Sequence, residues 1–159
     1  MCQAASGARG PWVTGRAAGP VWPSATPPAA DDGRSWELSD VAQLPRIRAE
    51  VRRHAASAAL RSDATGEDLR DQLVLALDEM ASNALRHGGG SVRAGVRMTA
   101  DSYLIEVTDA ATSSPPAPAV GRDPSEGGLG LYLIAELATA HGWYRRSDVK
   151  VVWALLPRG

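Results

Sequence analysis

Glu79 and Asn83 are the residues whose types and spacing most directly allow chemistry. They stand four apart in the stretch LRDQLVLALDEMASNALRHGGG, residues 69–90. On a helix, that spacing sets their side chains one turn apart on a single face. The Asn83 carboxamide offers a neutral oxygen to a hard, hydrated cation such as Mg²⁺, while the Glu79 carboxylate can take a proton from a nucleophile. The same spacing is common on solvated helix faces, so the pair alone fits either a site or an ordinary polar stripe. Gln72, Arg86 and His87 extend that stripe.

A helix must carry the pair, and the sequence provides one. Leu69, Leu73, Ala76, Leu77, Met80 and Ala84 recur at the spacing of one buried face. Thr65 with Asp68 predicts its cap, and Gly88-Gly89-Gly90 predicts its stop. An earlier helix is expected from near Pro45, on Leu44, Ile47, Val51 and Ala58, with Arg46, Arg48, Arg52 and Arg53 on its other face. Those arginines read as a solvated face or as a basic surface for an acidic partner. His54 has no acidic neighbour on that helix and reads as structural. A short first strand is expected at Ser35–Leu38.

Two strands follow the helix. Val92, Ala94, Val96 and Met98 alternate with Arg93, Gly95 and Arg97, and after a turn at Ala100-Asp101-Ser102 the return strand runs from Tyr103 to Asp109. The period of two puts Asp109 on the face of Tyr103, Ile105 and Val107. A lone inward charge is costly, so Asp109 needs a partner, either a turn it caps or an amine on a ligand. Residues 110–126 then lose all periodicity, as a long functional loop or lid would. That loop leads into Gly127-Gly128-Leu129-Gly130-Leu131 and a helix expected to end at Gly142. Glycines running into a helix leave backbone N–H groups free for phosphate oxygens, although glycines also mark plain turns. Two closing strands complete the chain, the second buried on both faces except at Lys150.

Composition bounds the rest. The chain has 159 residues, 44% of them hydrophobic and 22% charged, which suits one domain with a tail. A net charge of −1 gives no footprint for nucleic acid, and no apolar run approaches the ~20 residues of a membrane span. No secretory signal is evident, and the single cysteine, Cys2, can form neither an internal disulfide nor a metal cluster. A cytoplasmic location is the expectation. Residues 1–33, rich in Pro, Ala and Gly, are expected to be a disordered extension, with 34–159 as the folded domain. Trp12 and Trp22 could anchor that extension to a partner.

Taken in order, these elements resemble the ATP-binding domain of the GHKL superfamily, and within it the small bacterial branch of serine-protein kinases and anti-sigma factors. DEMASNALRHGG is similar to that family's N box, Asp109 stands where its adenine-binding Asp closes a strand, and SEGGLGLYLIAELA is similar to the box that ends its lid. The likeness runs roughly from Arg34 to Gly159. It implies an α/β two-layer sandwich, with a mixed, mainly antiparallel sheet and helices packed on one face.

The resemblance further implies ATP and Mg²⁺, with Asn83 as the Mg²⁺ ligand, Glu79 as the base and Asp109 receiving the adenine amino group. Gly127, Gly128, Gly130 and Leu131 would lend their backbone to the phosphates. His87 would contact phosphate or else interact with the last carbonyls of its helix. The implied partners are a sigma factor and an anti-anti-sigma protein, with a homodimer common among such relatives. Two departures bear on adenine affinity. The family's D-x-G-x-G becomes Asp109-Ala110-Ala111-Thr112-Ser113, and the Thr of its K-T-V-W-like run becomes Val151. Two functions follow: an ATP-dependent serine kinase with anti-sigma activity, or a catalytically silent module, with or without nucleotide, that sequesters a partner.

Overall fold

The alternating apolar residues of the second half assemble into one sheet. In a computed structural model, which describes residues 22–58, 60–116 and 129–159, the strands are β1 (Arg34–Leu38), β2 (Val92–Met98), β3 (Ser102–Asp109), β4 (Ala140–Arg146) and β5 (Val149–Pro157). Their order across the sheet is β1-β2-β3-β5-β4, and each neighbouring pair is antiparallel. The sheet, expected to be mixed and mainly antiparallel, is antiparallel at every pairing of its named strands. Parallel pairing among the described residues is limited to one isolated bridge, Ser24 to Trp143.

Register decides which side chains share a face. Trp36 pairs with Ala94, Ala94 with Val107, and Val107 with Val152, a row of buried apolar groups on the helix side. Helices α1 (Leu44–Ser57), α2 (Ala64–His87) and α3 (Leu129–Leu137) complete the second layer. α1 buries Leu44, Ile47, Val51 and Ala55, and α2 buries Leu73, Ala76, Leu77, Met80 and Ala84, joined by Leu131 and Ile134 of α3 in one core. The architecture is thus the expected two-layer α/β sandwich.

The polar face of α1 is spent largely on its neighbour. Arg48 reaches Asp78 at 2.7 Å and Arg52 reaches Asp71 at 2.5 Å, tying α1 to α2 along their exposed sides. Three further details differ from the sequence reading. α2 is capped by Asp63 rather than Thr65, because Asp63 keeps an extended backbone and its carboxylate accepts from Gly66 N–H at 3.0 Å. The hydrogen bond from Arg61, then the Gly66 N–H, lower the Asp63 pKa to about 2. α3 stops at Leu137 instead of Gly142, since Thr139 N–H turns to the Leu155 carbonyl (2.9 Å) and the chain joins β5 as a strand. Lys150, expected as the wet exception on β5, is buried.

The proposed tail is shorter than its composition implies. From Trp22 onward the chain packs on the domain. Pro23 and Ala25 exchange backbone hydrogen bonds with Trp143 at 2.9 Å, and the Trp153 indole donates to Ala25 O at 2.8 Å. Trp22 is buried against the His141 ring, centroids 4.7 Å apart. The strap then reaches β2, where Asp31 N–H donates to Met98 O. Proline and alanine composition understated this segment because its anchors are two tryptophans and backbone groups, which carry no periodicity.

Candidate functional site

Glu79 and Asn83 lie on the exposed-to-buried border of α2, both half-buried. Helix α3 meets Glu79 directly. Gly130, in the first turn of α3, is so close that an added Cβ would come within 2.7 Å of Glu79 Cγ and 2.8 Å of its Cβ, and closer still to Oε2. A side chain at position 130 would therefore displace the carboxylate. The chain brings a potential proton acceptor to the start of a helix, where unpaired N–H groups accumulate.

The end of α2 is built against the end of β3. Gly88 closes the helix in a right-handed conformation, and a Cβ there would fall 2.5 Å from Asp109 Cβ and 2.6 Å from its Oδ2. Gly89 and Gly90 follow with φ of 66° and 68°, the left-handed region that glycine tolerates best. This turn lets Ala110 N–H donate to Gly89 O at 3.3 Å. The predicted glycine stop is thus also the contact that carries the Asn83 helix to the Asp109 strand. His87, exposed in the last turn, sits where a cation complements the helix C-terminus.

Asp109 is 2% exposed and both of its oxygens have partners. Oδ1 accepts from Ala111 N–H at 2.8 Å, and Oδ2 lies 3.6 Å from Lys150 Nζ. Lys150 also donates to Ser114 O at 2.9 Å, so its ammonium joins the Asp109 carboxylate to the root of the loop. The inward position of Asp109 calls for a turn or a ligand amine as its partner. The structure supplies the turn, and adds a lysine from the facing strand. Lys150 stands out in the sequence as the one charge in an otherwise apolar strand, but its pairing with Asp109 is set by β5 lying beside β3.

Of the other expected site residues, Leu131 places its side chain in the core, 2% exposed, which leaves only its backbone for a ligand. Gly127 and Gly128 lie outside the described residues. A fit for Mg²⁺ can be judged from the donors present. Among the described residues no group of three or more His, Cys, Asp or Glu side chains could cage a metal. One Asn oxygen beside a half-buried carboxylate suits a cation that keeps its waters and is held mainly by phosphates. No helix is long and apolar enough to cross a membrane among the described residues.

Comparison with curated proteins gives no match. The model of the histidine kinase-like ATPase domain matches residues 39–155. That span runs from the residue after β1 into β5, and takes in Glu79, Asn83, Asp109 and Gly130. Element order, sheet and sequence agree: the chain belongs to the histidine kinase-like ATPase domain family, whose fold is that of an ATP-binding domain.

Proposed function

We propose that this protein is an ATP-dependent serine kinase that regulates a sigma factor, phosphorylating a serine on an anti-anti-sigma type partner. The observation that carries the reading is the packing of Gly130 on Glu79, which holds a carboxylate at the first turn of α3, one turn before Asn83 on α2. A module that only binds has no use for a base there.

In this reading Glu79 accepts the proton of the partner's serine hydroxyl as its oxygen bonds to the γ-phosphorus of ATP. The bond between that phosphorus and the β–γ bridging oxygen breaks, and ADP leaves. Asn83 would hold Mg²⁺, which when bound neutralises charge on the phosphates. The backbone N–H groups at the start of α3 would receive phosphate oxygens, and Asp109 would receive the adenine amino group.

A second reading rests on a specific observation. Both Asp109 oxygens are already engaged, by Ala111 N–H and Lys150. An Asp109 carboxylate committed to a turn and to a lysine favours a silent module that sequesters a sigma factor or another partner. Phosphate transfer from labelled ATP to an anti-anti-sigma type protein separates the two. Glu79→Gln, which keeps side-chain size, is expected to lower transfer by about 10²–10⁴-fold with partner binding retained. Transfer at the wild-type rate in that variant removes Glu79 as the base, and no transfer by the wild type leaves the binding module.

A further inference from the structure

The face of the sheet turned away from the helices carries a hollow of about 320 Å³, unrelated to Glu79 or Asn83. Its floor follows from the register. Arg93 pairs with Thr108, Thr108 with Val151, and Gly95 with Ser35 on one side and Glu106 on the other. Where most strand positions would raise a side chain, Gly95 raises none, and Val151 is buried beneath. The rim is formed by the strap at Asp32 and Gly33. Gly33 lies so close to the Val96 carbonyl that an added Cβ would overlap it, so this edge of the hollow depends on a glycine.

The charges around it are unequal in their commitments. Arg97 is held by Glu106 at 2.8 Å, a half-buried pair that is neutral as a unit. Arg93 donates to Ser35 Oγ and Glu37 Oε2, both at 3.1 Å, through two of the five N–H groups a guanidinium offers. Glu37 is 73% exposed, so water screens that pairing heavily. Arg146, exposed on β4, has no ion pair among the described residues. Arg93 and Arg146 thus stand on β2 and β4 with Thr108 and Val151 between them. Strands are spaced about 4.8 Å apart, so two long guanidinium arms can close on a molecule lying over β3 and β5. Planar N–H forks of this kind bind carboxylate and phosphate oxygens bidentately.

We propose that this hollow binds a small molecule carrying two or more oxyanion groups, gripped at its ends by Arg93 and Arg146 over the Gly95–Thr108–Val151 floor. Phosphate and carboxylate anions share the required chemistry. The site is separate from the ATP reading, since Thr108 and Val151 face the opposite side of the sheet from their neighbours Asp109 and Lys150.

The test is backbone amide NMR titration of the full chain without Mg²⁺, using pyrophosphate and citrate as probes. At least one probe is expected to give saturable shifts at Ser35, Gly95, Thr108 and Val151. The double variant R93A/R146A should weaken that binding at least tenfold. Gly95→Leu, which fills the floor without changing charge, should do the same. If Gly95→Leu fails to fold, Gly95→Ala takes its place, since its Cβ would meet Arg34 O at an ordinary 3.4 Å. Arg53→Ala on α1 is the charge control and should leave affinity unchanged. Preference between probes assigns the anion class. Three results overturn the proposal: no saturable shift, an equal loss in Arg53→Ala, or shifts confined to residues around Glu79, Asn83 and α3.

Discussion

Lys150 and Asp109 face each other across β5 and β3, Nζ to Oδ2 3.6 Å, with side chains 7% and 3% exposed. Burying either charge alone is costly, so each is present because the other is. The pair also pins Ser114 and Ala111, and so fixes where the loop after β3 departs. Replacing Lys150 by Met strands a buried carboxylate, and should destabilise the fold by about 3–5 kcal/mol in urea unfolding. The double variant K150M/D109L should recover most of that loss. An unchanged midpoint in K150M alone would contradict the pairing.

Gly88 and Gly89 are adjacent but constrained for different reasons. Gly88→Ala meets Asp109 in an otherwise permitted conformation, so its cost is steric, about 1–3 kcal/mol, and should be accompanied by weakened nucleotide binding. Gly89→Ala meets no atom within 4 Å, but needs φ of 66°, which costs about 1–2 kcal/mol for an L-residue and leaves Asp109 in place. Calorimetric titration with ATP, alongside thermal melts, should separate the two.

Gly130→Ala tests the contact that supports the kinase reading. Alanine favours a helix by about 1 kcal/mol over glycine, so α3 itself gains. The new methyl nevertheless displaces Glu79. Phosphate transfer should fall at least tenfold while the melting temperature changes little. Parallel loss of both would mean the residue acts on folding instead.

His54 predicts a pH dependence. Burial, then the charge of Arg34, push its pKa below the ordinary 6.5, and its Nε2 is buried without a hydrogen-bond partner. The folded chain therefore takes up a proton less readily than the unfolded chain. Stability is full above pH 6.5 and declines as pH falls through 6.5 toward the folded value. His54→Leu should flatten that slope in denaturation curves between pH 7 and pH 5.

Trp22 measures how far the domain extends. It is 4% exposed and belongs to the main core, so Trp22→Ala should cost about 3–5 kcal/mol, the range for large aromatic truncations. A stability change near zero would restore the boundary at residue 34.

The sequence by itself determined the elements and their order. Period-two and helical apolar patterns are local, and Leu69–Ala84, Val92–Met98 and Tyr103–Asp109 report them without reference to the rest of the chain. The candidate site was legible at Glu79, Asn83 and Asp109 because chemistry-bearing side chains interrupt those patterns. Tertiary structure alone decided the pairings. That Asp109 meets Lys150 follows from β5 lying beside β3, a neighbour relation that residue spacing does not encode. That Gly88 packs on Asp109 and Gly130 on Glu79 depends on distances between elements far apart in the chain. The strap from Trp22 and the early end of α3 were set in the same way. Backbone groups there find partners on the sheet, and a nonlocal hydrogen bond outweighs composition or helical propensity.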